Sequence, residues 1–423
     1  MHTSGPSSTF YLPQELVDHI IDHLHDDPVS LSHCSLVCHA WLRTSRLHLF
    51  AKVNLKAGSP HTPAVVPPED RCRSLYRLLK RSPEIIPHIR ELDICEGSPA
   101  HHSPEVRSTT WVTVEWSLPP LLKMLTHLKR LDFAATSTMH WKTLPPGFQE
   151  AICTLLARPS LTYIRLHHWS FPDLVSLAKP LSACRNLKAL ALSSTTVSDD
   201  SVPEAEDEIA ATPEEQQPDY TAQRYCLEVL TLDYVYFGYL EYWLLSHRST
   251  VDVTGLRELR VAHFPDPTVV EKLLLKIGGS LEHFHLKPGS WDVHAFDLGV
   301  NSGLRSIRLT LEEPEIAMDW VMTLLTSITN YNVLERIGLE FYMGLGKLEG
   351  WSALDALLVR PELSSLRQVE IGIFAPPSHA DFIKVNEELG GIEGRGILRL
   401  YQLGIKSQRS SRQLTPRISH YES

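Results

Sequence analysis

The sequence is poorest in the signals that would send a chain through a membrane. No Asn-x-Ser/Thr acceptor occurs, and no apolar run approaches the roughly 18 residues of a membrane-crossing helix. Met1 to Phe10 has neither a basic start nor an apolar core, so no signal peptide is expected there. Cysteine is scarce: seven residues, odd in number and widely scattered. That excludes a dense disulfide framework and points to free thiols in a reducing compartment, cytoplasmic or nuclear, with no membrane partner.

Catalytic and metal motifs are missing too. His19-x-x-x-His23 lacks the glutamate of a zinc protease. Cys34-x-x-x-Cys38-His39 has no second Cys/His pair at zinc spacing, and both cysteines fall on an apolar face, which favours core thiols. Gly344-Leu345-Gly346-Lys347-Leu348 is no phosphate loop, because Phe341 stands where a glycine belongs and Leu348 cannot hold magnesium. No Gly-x-Ser-x-Gly elbow is present. The expectation is a non-enzyme with no metal and no cofactor.

A broad basic field is also lacking. The net charge is −10, yet the stretch from Asp199 to Asp219 alone holds nine acids and no Lys or Arg, which leaves the rest at −1. No nucleic-acid partner is expected from such a surface. What remains is ordinary for a folded chain: 43% apolar and 21% charged residues. A length of 423 residues calls for several compact units or one long repeat array.

Two patterns fill that length. In the first, Leu12, Leu16, Val17, Ile20, Ile21 and Leu24 fall on one helical face, started by Pro13 and ended before Pro28. Ser30 can cap a second helix carrying Leu31, Cys34, Val37, Cys38 and Trp41. Leu47, Leu49, Phe50, Val53 and Leu55 read as a short third helix running into a strand. So few helices make too small a core alone, so the rest of the chain or a partner should cover part of their apolar surface.

The order Leu12-Pro13-x-Glu15-Leu16, Ile20-Ile21-x-x-Leu24, Leu36-Val37-Cys38-His39-x-Trp41 and Leu49-Phe50 resembles an F-box over residues 12–55. The resemblance implies docking to the Skp-type adaptor of a cullin-based ubiquitin ligase. In that family the Leu-Pro start and the apolar helical positions meet the adaptor. Here they would be Leu12, Pro13, Leu16, Ile20, Ile21, Leu31, Val37 and Trp41. Ile21, Cys34 and Trp41 could equally pack inside the helical unit.

In the second pattern, apolar-x-x-apolar-x-apolar recurs ten times, starting at Ile89, Leu128, Leu161, Leu187, Leu227, Leu256, Leu281, Leu304, Leu334 and Leu366. An eleventh copy surrounds Arg399. The end of each copy alternates like a half-buried strand. Between copies lie helical stripes: Phe148, Ile152, Leu155 and Leu156; Val269, Val270, Leu273, Leu274 and Ile277; and Met318, Val321, Leu325 and Ile328.

Strand and helix in alternation resemble leucine-rich repeats. The repeats are irregular, with starts 23 to 40 residues apart. The position three residues past each copy, where Asn or Cys is usual, holds residues such as Trp169, Thr195, Val235 and Phe264. The expected fold class is therefore α/β: a small N-terminal helical F-box followed by an irregular leucine-rich-repeat-like solenoid, with a parallel sheet on one side and helices on the other. The expected divisions are a disordered start (1–11), F-box (12–55), linker (56–70), solenoid (71–405) with an acidic insertion (199–220), and a disordered tail (406–423).

Residues between the last two apolar positions should point out of the sheet: Asp93, Asp132, Arg165, Ala191, Thr231, Arg260, His285, Arg308, Gly338 and Glu370. Arg165, Arg260, His285 and Arg308 would form a basic to neutral strip, the candidate contact for a target protein. The expected function is a substrate-recognition subunit of a Skp–cullin–F-box type ligase. The alternative is an F-box scaffold or solenoid binding module without ubiquitin transfer.

Overall fold

The structure, a computed structural model, describes residues 12–56, 66–97, 111–198, 224–235, 240–246, 249–264, 266–289, 296–312, 317–328, 333–342, 349–374 and 379–403. The expected disordered start and tail, the acidic insertion, most of the linker and the Gly344–Leu348 stretch lie outside them. The chain divides into two compact units, Met1–Leu187 and Lys188–Ser423.

The first unit opens with three helices: α1 (Gln14–Asp22), α2 (Pro28–Cys34) and α3 (His39–Leu49). Asp27 caps α2, accepting from the backbone N–H groups of Val29 and Ser30 at 3.1 Å each. Ser30, the cap expected from sequence, instead donates its hydroxyl to Asp27 at 2.6 Å. Pro28 takes the first helical position, where its missing N–H costs nothing. The second apolar run does not stay on one helix: α2 stops at Cys34 and the extended backbone of Cys38 starts α3. Leu36 and Val37 are thereby left in the connecting turn. Val17, Ile21 and Leu31 form the core, with Leu24, Trp41 and Leu49 packed against it.

Strand β1 (Lys52–Leu55) pairs in parallel with β2 (Glu91–Glu96). The segment resembling an F-box thus supplies the first strand of the repeat sheet. Helix α4 (Pro68–Arg81) lies between them and begins inside the expected linker. Its start had a sequence signal: Pro68 in the first turn followed by Glu69 and Asp70 near the positive end of the helix dipole. Two further parallel strands follow, β3 (Arg130–His140) and β4 (Tyr163–Phe171).

The second unit contains β5 (Ala189–Ser193), β6 (Thr196–Val197), β7 (Tyr225–Cys226), β8 (Val229–Asp233), β9 (Val251–Asp252), β10 (Glu258–Ala262), β11 (His283–Lys287), β12 (Ser306–Leu311), β13 (Arg336–Phe341), β14 (Gln368–Phe374) and β15 (Leu398–Leu403). The main sheet of this unit runs β5-β8-β10-β11-β12-β13-β14-β15, every pair parallel. β7 and β9 pair separately. The three helical stripes fall on helices Pro146–Leu156, Pro267–Ile277 and Ala317–Thr326, except that Ile328 lies two residues beyond the last of them, where it is still buried. The second stops at Gly278, whose φ of 57° ends the helix. The fold is thus mixed α/β, with leucine-rich-repeat-like strand–helix repeats.

One local device recurs without an asparagine ladder. His168, Ser194, Tyr234 and His263 have positive φ, between 47° and 60°. Each directly precedes the residue three past its motif: Trp169, Thr195, Val235 or Phe264. All four of those are buried. Ser194, Tyr234 and His263 directly follow β5, β8 and β10, whereas His168 lies within β4; at each position the left-handed residue turns the backbone so that its successor enters the core, at a cost of roughly 1–2 kcal/mol each.

Candidate docking surfaces

Helix α1 has two apolar faces with different fates. Val17 and Ile21 are buried, whereas Leu12, Leu16 and Ile20 are 48%, 51% and 52% exposed. The i, i+4 spacing sets those three in one stripe along the helix and its entry. Pro13 is exposed beside it. In the α2–α3 turn Leu36 is 82% and Val37 61% exposed, because neither lies on a helix face that could be turned inward.

Of the eight residues expected to face an adaptor, five are on the surface: Leu12, Pro13, Leu16, Ile20 and Val37. Ile21 (0% exposed) and Leu31 (1%) are instead core residues and have no free surface to offer. Trp41 is half-buried against that core. Leu36 and Val29 are exposed but were not expected at the surface; their place between or at the start of short helices was the available signal. Cys38 is exposed and Cys34 half-buried, so neither is the core thiol expected.

Polar ties hold α1 against α3. The Thr44 hydroxyl donates to Asp18 at 2.5 Å, and His48 Nε2 lies 2.7 Å from Asp22. The bonds from Thr44 and Gln14 hold the Asp18 carboxyl below its usual range.

The second surface is the polar row of the sheets. In the first unit Asp93, Asp132 and Arg165 stand side by side in register. All three are buried rather than exposed. Neighbouring long side chains close over them: Lys52 and Lys56 each reach Asp93 at 3.2 Å, and Arg165 meets Asp132 at 3.6 Å. Arg165 is therefore a compensated interior charge.

In the second unit the row runs Ala191, Thr231, Arg260, His285, Arg308, Gly338, Glu370 and Arg399, again in register. Ala191 and Thr231 are buried. Arg260 pairs with Glu258, and Arg308 reaches Glu340 and Glu370 at 3.3 Å each. Burial pushes the His285 imidazole down to about 3, helped by Arg260 and Arg308 on either side. It is neutral at physiological pH. The expected basic strip is thus a charge-balanced one, because Glu258 two residues before Arg260, and Glu340 and Glu370 on the next two strands from Arg308, answer the arginines. Glycine makes room for this: a Cβ at Gly338 would sit 3.3 Å from Nε of Arg308, and one at Gly372 2.7 Å from the Tyr401 ring.

Strand ends of the second unit carry a further cluster. His263 Nδ1 is 3.0 Å from Asp233 and its Nε2 3.6 Å from Glu312, while Lys287 reaches Glu312 at 2.7 Å. The exposed Tyr234 ring stacks on His263 with centroids 3.8 Å apart. Burial opposes the imidazolium, but the bonds to Asp233 and Glu312 outweigh it and raise the His263 pKa. Those from His263 and Lys287 hold Glu312 down at about 2.

Among the described residues no group of three or more His, Cys, Asp or Glu is arranged to hold a metal ion, and no helix is long and apolar enough to cross a membrane.

No protein-family model and no curated protein matches the chain. Among solved structures it is similar to an internalin of Listeria monocytogenes, at 16% identity over 79% of this chain and 75% of that one, with a TM-score of 0.35. It is also similar to a leucine-rich-repeat protein of Leptospira interrogans, at 12% identity over 90% and 98% of the two chains, with a TM-score of 0.25. Both likenesses are distant, and the repeat architecture stands on the strand register above.

Proposed function

We propose that this chain is a non-catalytic substrate-recognition subunit of a Skp–cullin–F-box type ubiquitin ligase. It docks the Skp-type adaptor, and through it the cullin, with the outer stripe of α1 and the α2–α3 turn. The repeat region presents its sheet face to a target protein. The observation that carries this reading is the exposed stripe Leu12, Leu16 and Ile20 on a helix whose opposite apolar residues already make a core. A contiguous apolar stripe left in water marks a partner surface. The order of motifs from Leu12 to Phe50, which resembles an F-box, names the kind of partner. Such a subunit acts by proximity alone: it raises the effective concentration of target at the transfer machinery.

On the sheet face Arg308 is the most accessible of the four candidate target contacts, with Arg260 and His285 half-buried beside it. Arg165 leaves the candidate set, being buried and paired.

The test is co-purification of the full-length chain and its Leu16→Lys variant with the Skp-type adaptor and cullin. Leu16 is half-exposed, so the variant should keep the wild-type thermal midpoint. At the interface the substitution buries an unpaired charge, at a cost of about 3–5 kcal/mol, and the adaptor should be lost. Equal adaptor recovery with both proteins would refute the assignment of this face, as would failure of the wild type to bind adaptor at all.

A further inference from the structure

His19 lies in the last turn of α1 and His23 is its C-terminal cap, still helical in backbone and bonded from its N–H to the His19 carbonyl at 3.3 Å; both side chains are exposed. Their Nε2 atoms are 3.4 Å apart while their ring centroids are 4.7 Å apart, with the planes at 71°. The ring edges bearing Nε2 therefore lean toward each other. A tetrahedral ion holding two imidazole nitrogens at about 2.0–2.1 Å would set them about 3.3–3.4 Å apart. The observed separation matches that bite.

We propose that His19 and His23 form a bidentate chelate for a borderline divalent transition-metal ion of the zinc class, with solvent on the remaining positions. The i, i+4 spacing points both rings to one side of a single helix, so no rearrangement of the chain is required. Imidazole selects zinc, nickel or copper(II) over magnesium or calcium, which prefer oxygen. Among the described residues no third His, Cys, Asp or Glu completes the set, so affinity depends on both rings acting together. The pair shares a face of α1 with Leu16 and Ile20 by i+3 spacing, so a bound ion would brace the last turns of the helix that carries the exposed stripe. The chelate itself does not rest on the docking proposal. The competing account of the 3.4 Å approach is a hydrogen bond between the two rings, with one Nε2–H donating to the other.

The test uses the tag-free full chain and zinc ion alone, titrated in competition with a chromogenic zinc chelator. The proteins are wild type, His19→Ala, His23→Ala, the double variant and a His25→Ala control. Circular dichroism checks that α1 survives, and His19→Gln replaces the alanine variant if it does not. Each single variant should weaken one zinc site by about a hundredfold, the loss of a tethered second ligand, and the double variant no further. His25→Ala should behave as wild type. Unchanged zinc binding in either single variant would overturn the chelate. So would losses that add in the double variant, which mark two independent histidines, or an equal loss in His25→Ala.

Discussion

At the scale of single residues, His263 shows how a half-buried position becomes pH-sensitive. Its folded pKa is raised by Asp233 and Glu312. The stabilisation it contributes is therefore complete below its unfolded value of about 6.5 and is lost as pH rises through the folded value. Glu312 behaves in the opposite sense. Its folded pKa of about 2 lies below the ordinary 4.5, so its contribution is complete above 4.5 and is lost only as pH falls toward 2. The cluster is most stabilising between those limits. In thermal melts the wild type should lose stability as pH rises above about 6.5, while His263→Gln stays flatter there. Parallel pH profiles of the two proteins would remove His263 from this role.

At the scale of elements, α1 separates two kinds of apolar residue only one position apart. Ile20 faces solvent and Ile21 is fully buried against Leu31 and Val17. Ile21→Ala should therefore destabilise the helical unit by about 2–5 kcal/mol, through lost burial and the cavity left behind. Ile20→Ala should leave stability within about 0.5 kcal/mol, as surface substitutions usually do. Urea unfolding of both variants measures the contrast. Equal losses would mean that the face of α1 bearing Ile20 is also packed.

At the scale of the whole chain, the repeats of the second unit are ordered by charge as well as by apolar period. The second position of successive motifs reads Lys188, Glu228, Arg257, Glu282, Arg305, Glu335 and Arg367. Backbone bonds of 2.7 to 2.9 Å link each of these residues to the next. Lys188 meets Glu228 at 2.8 Å, Arg257 meets Glu282 at 3.8 Å, and Arg305 meets Glu335 at 3.3 Å. A shift by one repeat would oppose like charges, so the alternation favours the observed neighbours. Each pair is exposed and individually weak. Glu282→Lys, set between Arg257 and Arg305, should lower stability by about 0.5–1 kcal/mol, and added salt should shrink the difference. A loss unaffected by salt would indicate packing rather than charge.

The apolar period by itself determined the repeat strands, three of the helices between them and the polar rows Asp93 to Arg165 and Ala191 to Arg399, because alternation and the helical turn are local backbone geometry. The start of α4 and the alternating second position were equally legible in Pro68 and in Lys188 to Arg367. What only tertiary structure decided was which apolar and charged residues have partners. Leu16 and Ile21 are alike in sequence, yet one is covered and the other is not. Arg165 and Arg308 occupy the same motif position, yet one is buried on Asp132 and the other spans Gly338 to reach Glu340 and Glu370. Burial and charge compensation depend on distances between residues far apart in the chain, and no local pattern encodes them.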